Sequence, residues 1–173
     1  NSSILYAEAV ARGNSLVAEL LEAMTPLLTD ALAHGRAGGM GAAGVSRLVQ
    51  AVELDATTDS KFSRHLIFPG LVVANTSHAG ALVRALAANV SAEAASIIDF
   101  AVYSRNRCFR LVGSTKFAKT NPFQVLRRRD PVGKFAMHAG ERREGHRRGE
   151  ASANFLETLA SFVPVGERVL ENI

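Results

Sequence analysis

Hydrophobic spacing divides the chain into segments. From Asn14 to His34, Leu16, Leu20, Leu21, Met24, Leu27, Leu28, Ala31 and Leu32 recur every three or four residues, the period of one helix face. Ser15 can cap the start of this helix and Gly35 can end it, while Pro26 should kink or interrupt it. The glycine-rich "GRAGGMGAAG", Gly35 to Gly44, reads as a loop, and it lacks the GxxxxGK[ST] order of a phosphate-cradling one. Arg47 to Leu54 and Ser63 to Phe68 read as strands joined through the polar "DATTDS". Ala79 to Ala88 reads as a short helix. Ile97 to Ser104 and Cys108 to Val112 read as paired strands, and Phe123 to Arg127 as another. Asp130 to Gly149 is irregular and basic. Ala151 to Val163 closes as an amphipathic helix with Phe155, Leu156, Leu159 and Phe162 on one side. There is no internal repeat and no regular βαβ rhythm. The predicted class is α+β, with a mainly antiparallel sheet and flanking helices.

Composition narrows the class. The 173 residues suit one domain, 1–173, with its own core. Hydrophobic residues make up 47% and charged residues 21%, the balance of a globular domain. No run of about 18 apolar residues occurs, so no membrane partner is expected. The chain opens at Asn1 instead of Met, as a processed chain or a fragment would. Cys108 is the single cysteine, which excludes an internal disulfide and a Cys-rich zinc site within these residues. A net charge of +4 permits a polyanionic partner without demanding one.

Three clusters could carry chemistry. In "KFSRHLIF", Lys61, Ser63 and His65 sit two apart, so a strand would put them on one face and Phe62 and Arg64 on the other. The plain reading is a solvated edge strand. The alternative is an anion site, because ammonium, hydroxyl and imidazole all donate hydrogen bonds to phosphate oxygens. In "IIDFAVYSRNRCFRLVGSTK", Asp99 follows two isoleucines, and Arg105, Arg107, Arg110 and Lys116 crowd the expected hairpin. A solvated basic hairpin competes there with a metal–nucleotide site: a carboxylate for the cation, guanidinium groups for the phosphates. The third cluster, Arg127 to Arg148, is a solvated basic loop or a nucleic-acid contact surface. His138 and His146 lack metal-site partners and read as loop residues. No hydrolase triad, zinc signature or dinucleotide fingerprint is present.

Taken together, "LDATTDSKFSRHLIF" and "IDFAVYSRNRCFRLVGSTK" resemble the second and third catalytic motifs of the eukaryotic primase-polymerase (PrimPol) family, in the archaeo-eukaryotic primase superfamily. The second motif is the Ser-x-His element. The third opens with an Asp on a strand leading to Tyr-x-Arg-Asn-Arg-x-Phe-Arg. "SHAGALVR", Ser77 to Arg84, and the final "NFLETLASFVPVGERVLENI" match more weakly, so the resemblance spans most of Tyr6 to Ile173. It implies a primase-like fold and template-directed nucleotidyl transfer with Mn²⁺ or Mg²⁺. It also implies chain initiation or lesion-tolerant synthesis, on single-stranded DNA template and primer with nucleoside triphosphates, in the nucleus or mitochondrion. It gives catalytic roles to Asp99, His65 and Ser63, with Asp99 as metal ligand. It places Lys61, Ser63, Arg64, His65, Arg107, Phe109, Arg110 and Lys116 around the nucleotide.

The chain departs from the family in four places, one being the family's template-contacting segment before the first motif, which has no counterpart in these residues. If Tyr6 matches the aromatic residue after the family's Asp-x-Glu, the two carboxylates fall on Ser3 and Leu5, which cannot replace them. The zinc-binding tail is missing, as the single cysteine requires. The insertion before the third motif shrinks to about "ANVSAEAAS". The expectation is therefore a partial catalytic module, inactive as it stands, with a non-catalytic nucleotide- or nucleic-acid-binding module as the rival reading.

Overall fold

The structure is a computed structural model and describes residues 2–34, 42–129, 135–136, 159 and 169–170. Helix α1, Ser2–His34, is the longest element. Leu16, Leu20, Met24, Leu28 and Leu32 are four apart, which lines them along one stripe. That stripe buries against Val45 and Leu48 of α2, Ala42–Leu48, and against Leu82 and Leu86 of α3, Thr76–Ala88. Ala94 of α4, Ala92–Ser96, completes this helical core. Arg12 of α1 reaches Glu93 of α4 through its Nε at 2.8 Å, an exposed tie between the two helices.

Several expectations change here. The first helix starts at Ser2, not Asn14, and Ser15 lies inside it instead of capping it. Its first turns escaped the periodicity because nothing buries them: Ile4, Leu5 and Tyr6 are exposed, and Ala7, Glu8, Ala9, Ala11 and Arg12 extend the helix by propensity. The helix also runs unbroken past Pro26, whose ring faces water while Met24 and Leu28 hold the packed side. Arg47 and Leu48 belong to α2, so only Ala51–Asp55 of the strand expected over Arg47 to Leu54 is β1. The hydrophobic period switches there: Val45, Leu48 and Val49 pack as helix, whereas Val52 and Leu54 alternate as strand.

The main sheet has four strands in the order β2-β1-β4-β5, all antiparallel. Here β2 is Arg64–Ile67, β4 is Gln124–Arg129 and β5 is Phe135–Ala136. A separate parallel pair joins β3, Val72–Val73, to β6, Val169–Leu170. Helices and an antiparallel sheet thus coexist, as the α+β expectation holds. The rest of the basic stretch Asp130 to Gly149, with His138 and His146, and the helix expected over Ala151 to Val163 lie outside the described residues. Among the described residues, no helix is long and apolar enough to cross a membrane.

The paired strands expected at Ile97 to Ser104 and Cys108 to Val112 do not form. Ile97 ends α4, and Phe100–Tyr103 is a 3₁₀ turn. Asp99 caps it, its Oδ1 accepting the Ala101 N–H at 3.0 Å. A short carboxylate that bonds backbone two residues on offers the chain an alternative to a strand ladder. Tyr103 then packs on α3, where a Cβ at Gly80 would stand 3.2 Å from its own Cβ, a tight contact.

Gly13 of α1 plays a similar part beneath the hairpin. A Cβ there would stand 2.6 Å from the Phe62 ring. In a free helix Gly→Ala gains about 1 kcal/mol, but overpacking a closed contact costs about 1–3 kcal/mol. Gly13→Ala should therefore destabilise the chain in urea unfolding, and Gly13→Ala combined with Phe62→Leu should recover stability.

Candidate nucleotide site

A hairpin builds the first half of the site. Thr58 and Lys61 pair through backbone bonds of 2.9 and 3.2 Å, leaving Asp59 and Ser60 as a two-residue turn. The register then runs without a slip: Asp55 opposite Arg64, Leu54 opposite His65, Glu53 opposite Leu66, Val52 opposite Ile67. Ala56 N–H bonds Ser63 O at 3.0 Å in the same register. Strand alternation therefore keeps Lys61, Ser63 and His65 on the face of Leu54 and Val52, and turns Phe62 and Arg64 to the other.

Arg64 occupies a pocket of its own on that second face. Its Nε donates to Glu53 Oε1 at 3.1 Å, and its Nη1 bonds the Asp55 carboxylate and the Thr57 hydroxyl. Its guanidinium also lies 4.6 Å from the Phe62 ring centroid. Only 6% of its side chain meets solvent, and Glu53 is fully buried. This corrects the expectation that Arg64 joins the phosphate-binding set: its charge is spent within the fold. Thr57 couples this pocket to the opposite face by accepting the Ser63 N–H at 3.1 Å.

On the first face the side chains gather around Phe123, almost wholly buried with Val52, Leu54 and Ala56. The His65 ring meets Phe123 edge-on at 4.6 Å between centroids and Phe109 at 6.3 Å. The Arg110 guanidinium carbon sits 4.8 Å from the Phe123 centroid, a cation–π contact. Burial pushes the His65 imidazole below its ordinary proton affinity. The Arg110 and Lys116 cations push it further in the same direction, and the Asp99 carboxylate pulls it back. His65, Arg110, Lys116 and Asp99 thus share one electrostatic neighbourhood. Among the described residues, Lys61, Arg110 and Lys116 form no ion pair, and the Ser63 hydroxyl makes no hydrogen bond.

Other expected members are held differently from the expectation. Asp99 is not on a strand beside β2: it is exposed at the start of the 3₁₀ turn. Burial, then its charge, raises the Tyr103 phenol above the usual tyrosine range. Arg107 is exposed and bonds Ser104 Oγ at 2.7 Å, and no strand forms from Arg107 to Arg110. Leu5 is exposed on α1, and Ser3 is also helical. Among the described residues no three His, Cys, Asp or Glu side chains converge as a metal site. Asp99 is a lone carboxylate and does not fit a two-cation centre by itself. Sequence reasoning missed Phe123 as the platform of the site. Its one signal was position, immediately before a strand that returns to the sheet centre.

Two measurements bear on this arrangement. Removing one partner of a buried ion pair costs about 3–5 kcal/mol, so Arg64→Met should lose about that much stability in urea unfolding. The His65 shift predicts a pH effect of definite sign. The unfolded chain protonates His65 near 6.5, while the folded chain holds it neutral to lower pH. Stability is undiminished above that value and falls as pH drops beneath it. Thermal unfolding followed from about pH 7 to 5 should show this slope in the wild type and a shallower one in His65→Gln.

No protein-family model matches this chain, and a search of curated proteins finds no significant match.

Proposed function

We propose that the face of β2 around His65 binds the phosphates of a nucleoside triphosphate, as the nucleotide-binding part of a primase-polymerase-type nucleotidyltransferase. The observation that carries this reading is the gathering of Arg110 and Lys116 on His65, with no ion pair to either cation among the described residues and Asp99 as the one carboxylate acting on the same ring. Clustered cations repel one another, and a polyanion relieves that repulsion. A bound phosphate also reverses the field on His65, so the ring takes up a proton and becomes a second donor. Lys61 and the Ser63 hydroxyl lie on the same face and extend the donor set along the strand. Phe109, at the His65 edge and partly exposed, offers an apolar surface to the sugar or base. The motif resemblance supports the same assignment, and with it a primase-like fold, single-stranded DNA as template and nuclear or mitochondrial work in DNA synthesis.

A non-catalytic nucleotide-binding module is the second reading. It is favoured by the carboxylates: Asp99 stands alone among the described residues, with one oxygen engaged by Ala101. Mn²⁺ or Mg²⁺ belongs to the proposal through the family resemblance, and no step is assigned to it because the donors described do not fit a two-cation site.

Calorimetric titration with a deoxynucleoside triphosphate tests the binding claim. Arg110→Ala should weaken affinity by about 1–3 kcal/mol, the range for hydrogen bonds to charged groups. Equal affinities would remove Arg110 from the site. In a primer-extension assay with Mn²⁺ this chain should bind and not extend. Extension by the unmodified chain would discard the non-catalytic reading.

A further inference from the structure

The hairpin leaves one side of β2 without a strand. β2 stands at the end of the order β2-β1-β4-β5, and β1 is its one neighbour in the sheet. In an antiparallel pair, opposed residues alternate between bonded and non-bonded, and a bonded pair turns its N–H and C=O groups toward each other. Thr58 and Lys61 exchange backbone bonds of 2.9 and 3.2 Å, and Ala56 N–H bonds Ser63 O at 3.0 Å. The register continues without a slip, so the next inward pairs are Leu54 with His65 and Val52 with Ile67. The N–H and C=O groups of Phe62, Arg64 and Leu66 therefore point away from the sheet. Among the described residues they have no backbone partner.

Such a row is a template for one more strand. Its surroundings select the chemistry of that strand. On one face Lys61 and Ser63 precede His65, and Arg110 and Lys116 act on the His65 ring, where Asp99 is the one opposing carboxylate. Glu53 and Asp55 pair with Arg64 on the other face. Beside that buried cluster, Phe62 and Leu66 are partly buried and make the second face apolar at the edge. A strand alternates its side chains with period two. The edge thus fits a sequence that alternates acidic and apolar residues. A second copy of β2 does not fit it, because Lys61, Arg110 and Lys116 would approach their own like.

We propose that the free edge of β2 is a docking site for an extended acidic peptide of a partner protein, which adds to the sheet with its carboxylates on the His65 face and its apolar residues beside Leu66. This contact goes beyond the triphosphate reading, because main-chain bonds along β2 carry it. A peptide seated there draws on the same cations, so it competes with a bound triphosphate.

Fluorescence anisotropy of the full chain with a labelled peptide of about eight residues, alternating Glu and Val, tests this. Two further versions carry N-methyl groups on every Glu or on every Val, so that one version blocks the peptide edge facing β2 and the other blocks the far edge. One should bind about tenfold or more weakly than the other. Lys61→Ala should weaken binding of the unmethylated peptide about twofold to fivefold. Amide exchange at Arg64 and Leu66 should slow when the peptide is added. No binding of the alternating peptide would overturn the proposal. So would equal affinities of the two methylated versions, or equal affinity for a peptide with its Glu and Val residues in separate blocks, since plain charge attraction predicts both. Unchanged exchange at Leu66 would overturn it as well. Concentration-dependent slowing of Leu66 exchange without peptide would assign the edge to a second copy and overturn it too. A chain that binds the peptide but no triphosphate would sink the His65 reading and leave this one standing.

Discussion

The Arg64 guanidinium is the constraint on which the site depends. It joins Glu53, Asp55 and Thr57, all on the neighbouring limb of the hairpin. Desolvating these charges is expensive, and only good geometry repays it. A slip of one residue in the pairing would turn Arg64 toward the apolar face and His65 toward the carboxylates. The buried cluster therefore favours this register over a slipped one. Its functional effect is indirect: with Arg64 held on one face, His65 must look out from the other.

Phe123 does comparable work across a longer span of sequence. Its backbone closes the 113–123 loop, its side chain fills the sheet core, and its ring supports both His65 and Arg110. One residue thus connects the hairpin, the basic loop and the central sheet. The apolar platform under the cations also lowers the local dielectric, which strengthens their attraction for a phosphate and their effect on the imidazole.

The sequence made the hairpin face legible because period two is unambiguous once one strand is placed: Lys61, Ser63 and His65 follow from spacing alone. The α1 stripe was legible for the same reason at period four. The Asp99 region was not, because "IIDFAVY" has strand composition, and its conformation is decided by a side-chain cap and by Tyr103 meeting Gly80. The cap is a local side-chain bond and the Gly80 contact is tertiary, and strand propensity carries neither. Arg64 entered the nucleotide set by resemblance, although spacing puts it on the face opposite Lys61, Ser63 and His65, where Glu53 and Asp55 engage its charge. Arg110 and Lys116 were placed near His65 by resemblance, and their electrostatic effect on its ring is what the coordinates add.

The parallel pairing of Val72–Val73 with Val169–Leu170 has a kinetic meaning. The two partners lie on the order of a hundred residues apart, and closing so long a loop carries a large entropy cost before any contact repays it. Two residues of strand repay little. The pairing is therefore a late event, made after the helices around α3 have fixed where β3 stands. Contacts of this kind form after the folding barrier and act mainly on the rate of unfolding. Val169–Leu170 serves this fold as a clasp that slows its opening, with little part in directing its assembly.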